Sequence, residues 1–473
     1  MVFSSLLFLF VFLPAFLTIY YLTPVRWRNI TALAGSYFFY AWGAPQFVFI
    51  LLASSIIDYI LSRFIYKTEK KKIPLAISLV LNICLLGVFK YANFFVGEFN
   101  NILEVFGFQG AHWTYIALPI GISFFTFQKI SYMVDVYRGT TKPARNVFDF
   151  LLYVALFPQL IAGPIVRYHD IAAQLKKRRH SLEKVFEGIY RFCIGLGKKV
   201  LIANVVGEVA DKIFALGNPD MTVSFAWVGI IAYALQIYFD FAGYSDMAIG
   251  LGKMMGFDFL ENFNCPYVSQ SITEFWRRWH ISLSRFMREY LYIPLGGNRV
   301  SQNRTYINAW IIFLISGLWH GAAWTFVVWG VYNGLFISLD KMFWSKLSKK
   351  IPKIINILIT FFFVLIGWVF FRSETFVQAG HYLQSMFGFV SSTTNILWVD
   401  VIVNRGWIVF GLGLLFSFIP GFKLYDIVIE KLRARRQGYA RIFVKACITG
   451  IILALSVLSL ANASFNPFIY FRF

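Results

Sequence analysis

The chain has 473 residues, of which 58% are apolar, 54 are phenylalanine and only 14% are charged. No water-soluble core absorbs that much hydrophobe, so the composition excludes a soluble enzyme and predicts an all-α polytopic membrane protein. The 44 basic against 23 acidic residues fit cytoplasmic loops under the positive-inside rule; the aromatic residues sit in apolar runs and not on a basic face, so no nucleic-acid partner is expected.

Met1 to Leu22 lacks a basic start and a small-residue cleavage site, and reads as a retained first span. Further runs of spanning length lie near 45–65, 73–90, 115–135, 225–250, 354–371 and 442–461. Shorter or interrupted ones lie near 29–42, 148–165, 186–215, 306–340 and 406–420. Basic connections follow in series: Arg26 and Arg28; Arg63, Lys67 and Lys70 to Lys72; Lys176 to Arg179; Lys346 to Lys353; Arg433 to Arg441. Assigning these to the cytoplasm puts the N-terminus outside and the tail after the last span outside as well. The whole chain, 1–473, is expected to form one membrane-embedded domain, with no soluble domain, linker or repeat in it.

Three apolar stretches do not read as plain spans. Leu156 to Pro164 holds two prolines and a glycine, Phe192 to Val200 embeds Lys198 and Lys199, and 306–340 is too long for one crossing and rich in glycine. Irregular backbone at membrane depth is tolerated only where protein or a water-filled cavity surrounds it, so these stretches predict re-entrant or tilted helices around an internal funnel.

Four widely scattered cysteines, Cys84, Cys193, Cys265 and Cys447, form no C-x-x-C pair, so no zinc site or disulfide framework is indicated, and no permanently bound cofactor or metal is expected. No zinc-protease, phosphate-loop or nucleophile-elbow motif is present either. The residues able to carry chemistry fall in a few places. On a continuous helix Phe275 to Tyr290, Arg277, Arg278, Arg285 and Arg288 share one face and Trp276, Trp279, Leu283, Phe286, Met287 and Tyr290 the other, with His280 at the border. Those arginines either meet lipid phosphates or hold an anionic substrate group such as a nucleotide or phosphopantetheine phosphate. His320 stands in an apolar stretch between Trp319 and Gly321; an ionisable group there is either hydrogen-bonded structure or a general base. Asp240 and Asp246, six apart in another span, either pair, bind a cation or orient an imidazole, or are polar groups satisfying each other between helices. The last residues, Asn466 to Phe473, are largely aromatic where a frayed tail is normally polar.

Trp276 to Leu283, the Tyr292 to Arg299 turn, Leu318 to Gly321 and Phe239 to Asp246 together resemble the membrane-bound O-acyltransferase family, in particular its bacterial polysaccharide-modifying branch. Met1 to Pro14 and Tyr37 to Trp42 are similar to that branch too. The resemblance implies about ten to twelve spans with re-entrant or interfacial helices around a central tunnel. It also implies that His320 is the catalytic histidine and His280 a second one, both within a catalytic region 272–340. The tail 462–473 is similar to an acyl-accepting segment of a small partner protein in D-alanylation, which makes Tyr470 a candidate transient acceptor.

The resulting expectation is an inner-membrane enzyme taking an acyl group, acetyl above all, from acetyl-CoA or an acyl carrier protein. It would hand that group to a separate extracytoplasmic esterase-like transferase acting on a polysaccharide. Direct acylation of a lipid or protein hydroxyl, and transport without chemistry, remain the alternatives.

Overall fold

The structure is a computed structural model and describes residues 1–392, 396–419 and 439–462. It is all-α, with no β-strand among the described residues. The chain forms two compact units, one of residues 1–188 with 251–260, the other of 189–250 with 261–473.

The first unit carries α1 (Phe8–Leu22), α2 (Arg28–Gly43), α3 (Pro45–Lys67), α4 (Lys72–Val105), α5 (Ile122–Arg138), α6 (Val147–Ala155) and α7 (Tyr168–Lys176). Its helix ends follow local chemistry. Pro24 and Pro45 stand where helices restart, Gly139 closes α5 in the left-handed region, and the Asn146 side chain caps α6 by accepting from Asp149 N at 2.8 Å. The Leu156 to Pro164 stretch breaks as its prolines require: α6 stops at Ala155, one turn covers Phe157–Leu160, and the chain then runs irregularly to Pro164, almost wholly buried. Gly121 (φ +77°) lets this segment approach, since a Cβ there would lie 2.6 Å from the Leu160 carbonyl oxygen. Asp58 and Lys129, both buried, form an ion pair at 3.5 Å across α3 and α5, with Ser78 and Asn82 of α4 donating to the carboxylate.

The second unit holds most of α8 (Leu182–Gly197), then α9 (Asn204–Phe214), most of α10 (Val223–Met254), α11 (Ile272–Arg278), α12 (Ile281–Met287), α13 (Gln302–His320), α14 (Trp324–Leu339), α15 (Lys353–Arg372), α16 (Phe376–Met386), α17 (Asn404–Phe418) and α18 (Tyr439–Asn462). The long 306–340 stretch resolves into α13 and α14, which pack back on one another after the short Gly321 to Ala323 turn. Glycine makes that approach possible. A Cβ on Gly330 would sit 2.5 Å from the Phe313 carbonyl oxygen, and one on Gly317 would collide with the carbonyl oxygen of Phe326. Backbone-to-backbone contact of this kind is how helices associate where no hydrophobic driving force separates protein from lipid.

Among the described residues, α3, α4, α10, α15 and Ile442–Asn462 of α18 are long and apolar enough to cross a membrane individually. The other apolar runs are cut into shorter helices, as at 148–165 and 306–340. The tail from 463 onward, with Tyr470, and the basic cluster Arg433, Arg435 and Arg436 lie outside the described residues.

Candidate active site

The basic aromatic stretch is not one helix. Ser271 caps α11 by accepting from Glu274 N at 3.1 Å, and the helix ends after seven residues. His280 then takes a left-handed backbone (φ +44°), and α12 starts at Ile281. A non-glycine residue there is strained and persists only where surrounding contacts hold it. Asn262 provides the hold. Its backbone oxygen accepts from Ile281 N at 2.9 Å and its side-chain Oδ1 from Ser282 N at 3.2 Å. The single-helix expectation for Phe275 to Tyr290 is therefore corrected to two short helices with a kink at the histidine.

The kink redistributes the arginines. Arg277, Arg285 and Arg288 line a cavity of about 430 Å³ together with Trp276, Ser316 and Lys341. Arg278 is not in that lining: it pairs with Glu274 at 2.8 Å and donates to the Asn264 carbonyl at 3.2 Å. The expected set of four thus becomes three arginines plus Lys341, a residue that sequence reasoning missed because it lies some fifty positions on, beyond α14. Lys341 donates to Tyr292 Oη at 3.3 Å, and Asp340 beside it accepts from Thr273 N at 2.6 Å, which docks the start of α11. Cations outnumber anions around the cavity, the electrostatics of a site for a phosphorylated ligand.

Neither histidine lines this cavity, but its wall leads to both. Ile281 follows His280 directly, and Ser316 stands one turn before His320 on α13. Trp276 packs edge-on against Trp329 (centroids 5.5 Å), and Trp329 packs edge-on against His320 (5.0 Å). Asn333 fixes Trp276 by accepting from its indole N–H at 3.0 Å. His320, 3% exposed, is boxed by Trp319 at 4.9 Å, Trp329, and Phe371 at 5.1 Å. Such a box excludes water and makes any charge developing on the ring expensive unless a reacting group compensates it.

His280 is fully buried, its ring 4.7 Å from Phe241 and 6.1 Å from Trp319. Trp319 is therefore a neighbour of both histidines. Burial pushes the His280 pKa down to about 3, so the imidazole is neutral.

The two aspartates meet cations. Asp240 pairs with Lys199 at 2.7 Å, and Asp246 pairs with Lys198 at 2.7 Å and with Arg191, which also reaches Glu261 at 2.6 Å. Of the possibilities left open for them, polar groups satisfying each other between helices is the one these ion pairs match.

Residues 144–377, which contain both histidines and all four arginines, match the model of the MBOAT, membrane-bound O-acyltransferase family. Over its whole length the chain is 42% identical to the whole of a probable alginate O-acetylase of Azotobacter vinelandii. It is 48% identical to a protein of the same name from Pseudomonas aeruginosa, over 82% of this chain and 75% of that one. It is also 38% identical to the peptidoglycan O-acetyltransferase of Helicobacter pylori, over 82% of this chain and 80% of that protein.

Proposed function

The chain belongs to the membrane-bound O-acyltransferase family, and from that footing we propose that it transfers acetyl groups from a cytoplasmic thioester to the O-acetylation of an extracytoplasmic polysaccharide. The observation that carries this reading is the cavity of Arg277, Arg285, Arg288 and Lys341, linked through Trp276 and Trp329 to His320. The cations would hold the phosphates of acetyl-CoA or of a carrier-bound phosphopantetheine, and the acyl end would extend toward the histidine.

In the transfer step His320 takes the proton of an attacking hydroxyl, whose oxygen adds to the thioester carbonyl carbon. The tetrahedral adduct collapses by breaking the C–S bond, and the proton passes to the departing sulfur. The products are an ester and a free thiol. Tyr470 is our candidate for the first hydroxyl. From an acetyl-tyrosine the group would pass to a separate esterase-like transferase on the outer side, so that acetyl crosses the inner membrane without the coenzyme. Alginate and peptidoglycan, the polymers in the relatives' names, define the substrate class: a polymer bearing free sugar hydroxyls.

The test is mass spectrometry of the intact protein and its C-terminal peptide after incubation with labelled acetyl-CoA. Wild type should carry one acetyl group on the tail peptide, and His320→Ala and Tyr470→Phe should carry none. Full polysaccharide acetylation in cells bearing only His320→Ala would overturn the mechanism. Thiol release with no tail adduct would remove Tyr470 from it.

A further inference from the structure

The hydrogen bonds around His280 determine which of its nitrogens holds the proton. Asn262 Oδ1 faces three groups: Ser282 N at 3.2 Å, Ser282 Oγ at 2.8 Å and His280 Nδ1 at 3.0 Å. A backbone N–H can only donate, so the Asn262 atom facing it must be the carbonyl oxygen. A flipped amide would set N–H against N–H. The amide nitrogen in turn donates to Ser245 Oγ of α10 at 3.1 Å, a contact that fits the same orientation. An oxygen that only accepts then requires a proton on His280 Nδ1. The neutral ring consequently carries a lone pair at Nε2, which is buried and has no hydrogen-bond partner among the described residues.

We propose that Asn262 is a positioning residue that locks His280 in its Nδ1–H form, so that Nε2 faces the reaction as a hydrogen-bond acceptor and never as a donor. The proposal rests on the acyltransferase reading above and refines it. A ring lacking an Nε2 proton cannot stabilise an oxyanion, but it can take the hydrogen bond of the attacking hydroxyl or of a neighbouring N–H. The surroundings favour this: among the described residues, Asn262, Ser282, Phe241 and Trp319 are bonded to or stacked on the ring, and none of these four is charged. The left-handed turn is part of the same device, since Asn262 also accepts from Ile281 N. One residue therefore sets the ring's position, in part through its backbone oxygen, and its tautomer, through its side chain.

Asn262→Asp separates this role from a merely structural one. The carboxylate keeps an acceptor for Ser282 and for Nδ1, so the turn is retained, but its charge draws a second proton onto the ring and converts Nε2 into a donor. The expected result is a kcat lowered by about 100-fold or more near neutral pH, within the range of acid–base contributions, with donor KM unchanged. Partial recovery should appear as pH rises and the imidazolium loses that proton. His320→Ala in the same assay tests the acyltransferase reading by itself, since full turnover there would sink that reading whatever Asn262 does.

An activity-independent measurement decides the tautomer. In ¹⁵N-histidine-labelled wild type, the resonances lost in His280→Gln should show a protonated Nδ1 and an unprotonated Nε2. A proton on Nε2, or an Asn262→Asp variant with wild-type kcat, would overturn the proposal. The ¹⁵N result stands even if the variant fails to fold.

Discussion

Replacing the arginines one at a time should divide them three to one. Arg277, Arg285 and Arg288 line the cavity, whereas Arg278 is turned to Glu274 and the Asn264 carbonyl. A hydrogen bond to a charged group contributes about 1.5–3 kcal/mol, and about 1.4 kcal/mol is tenfold in affinity. Arg277→Ala and Arg285→Ala should therefore raise donor KM by about 10- to 100-fold with little change in kcat, the pattern of lost uniform binding. Arg288 shares its guanidinium with Glu289 at 3.2 Å, so its loss should fall at the low end of that range. Arg278→Ala removes only a half-exposed i,i+4 pair worth about 0.3–0.5 kcal/mol of stability and should move KM by less than about twofold. The assay is initial-rate thiol release against donor concentration in purified, reconstituted protein. Wild-type KM should also climb with ionic strength, because the cavity is open to screening ions. If Arg278→Ala raised KM as much as Arg277→Ala did, or if all three cavity variants left it unchanged, the assignment of this cavity to the donor would fail.

Two further outcomes follow from packing and titration. Gly317→Ala puts a methyl group against the Phe326 carbonyl, where backbone must yield; it should cost about 1–3 kcal/mol and lower kcat, because His320 is less than one turn away. Gly411→Ala, inside α17, meets nothing within 4 Å; it should leave kcat unchanged and hold or slightly raise the melting temperature. On the pH axis two histidines outside the spanning segments oppose one another. Burial, with Arg28 and Arg178 nearby, lowers the His180 pKa to about 4; its contribution to stability is present above the ordinary value of about 6.5 and is lost as pH falls toward the folded one. The hydrogen bond His169 Nδ1 donates to the Asp135 carboxylate raises the His169 pKa, so its contribution is present at low pH and lost as pH rises through the folded value. Melting temperature followed by tryptophan fluorescence between pH 7 and pH 4.5 should fall less in His180→Gln than in wild type and more in His169→Gln. Equal slopes in all three proteins would refute both assignments.

The legible parts of this molecule were those whose signal is local. The prolines and glycine of Leu156 to Pro164 foretold a broken helix, and the excess length and glycines of 306–340 foretold that this stretch is no single crossing. The helix wheel drawn over Phe275 to Tyr290 misplaced Arg278 for a definite reason. A wheel assumes one continuous axis, and the axis is broken at His280 by Asn262, eighteen positions earlier and without helical or strand periodicity of its own. Lys341 was missed in the same way: nothing in its neighbourhood distinguishes it from any basic residue at the end of an apolar helix.

The chain's own composition determined that it is a helical membrane protein, because the cost of exposing apolar side chains accumulates residue by residue and can be summed along the sequence. It also marked His320, Asp240 and Lys199 as ionisable residues in apolar runs, where each is costly, but not the buried pair Asp58 and Lys129. Which cation answers Asp240, which arginines share a cavity and which nitrogen of His280 keeps its proton were decided only by tertiary structure. Those depend on hydrogen-bond geometry between residues far apart in sequence, and a displacement of about 1 Å is enough to make or lose such a bond.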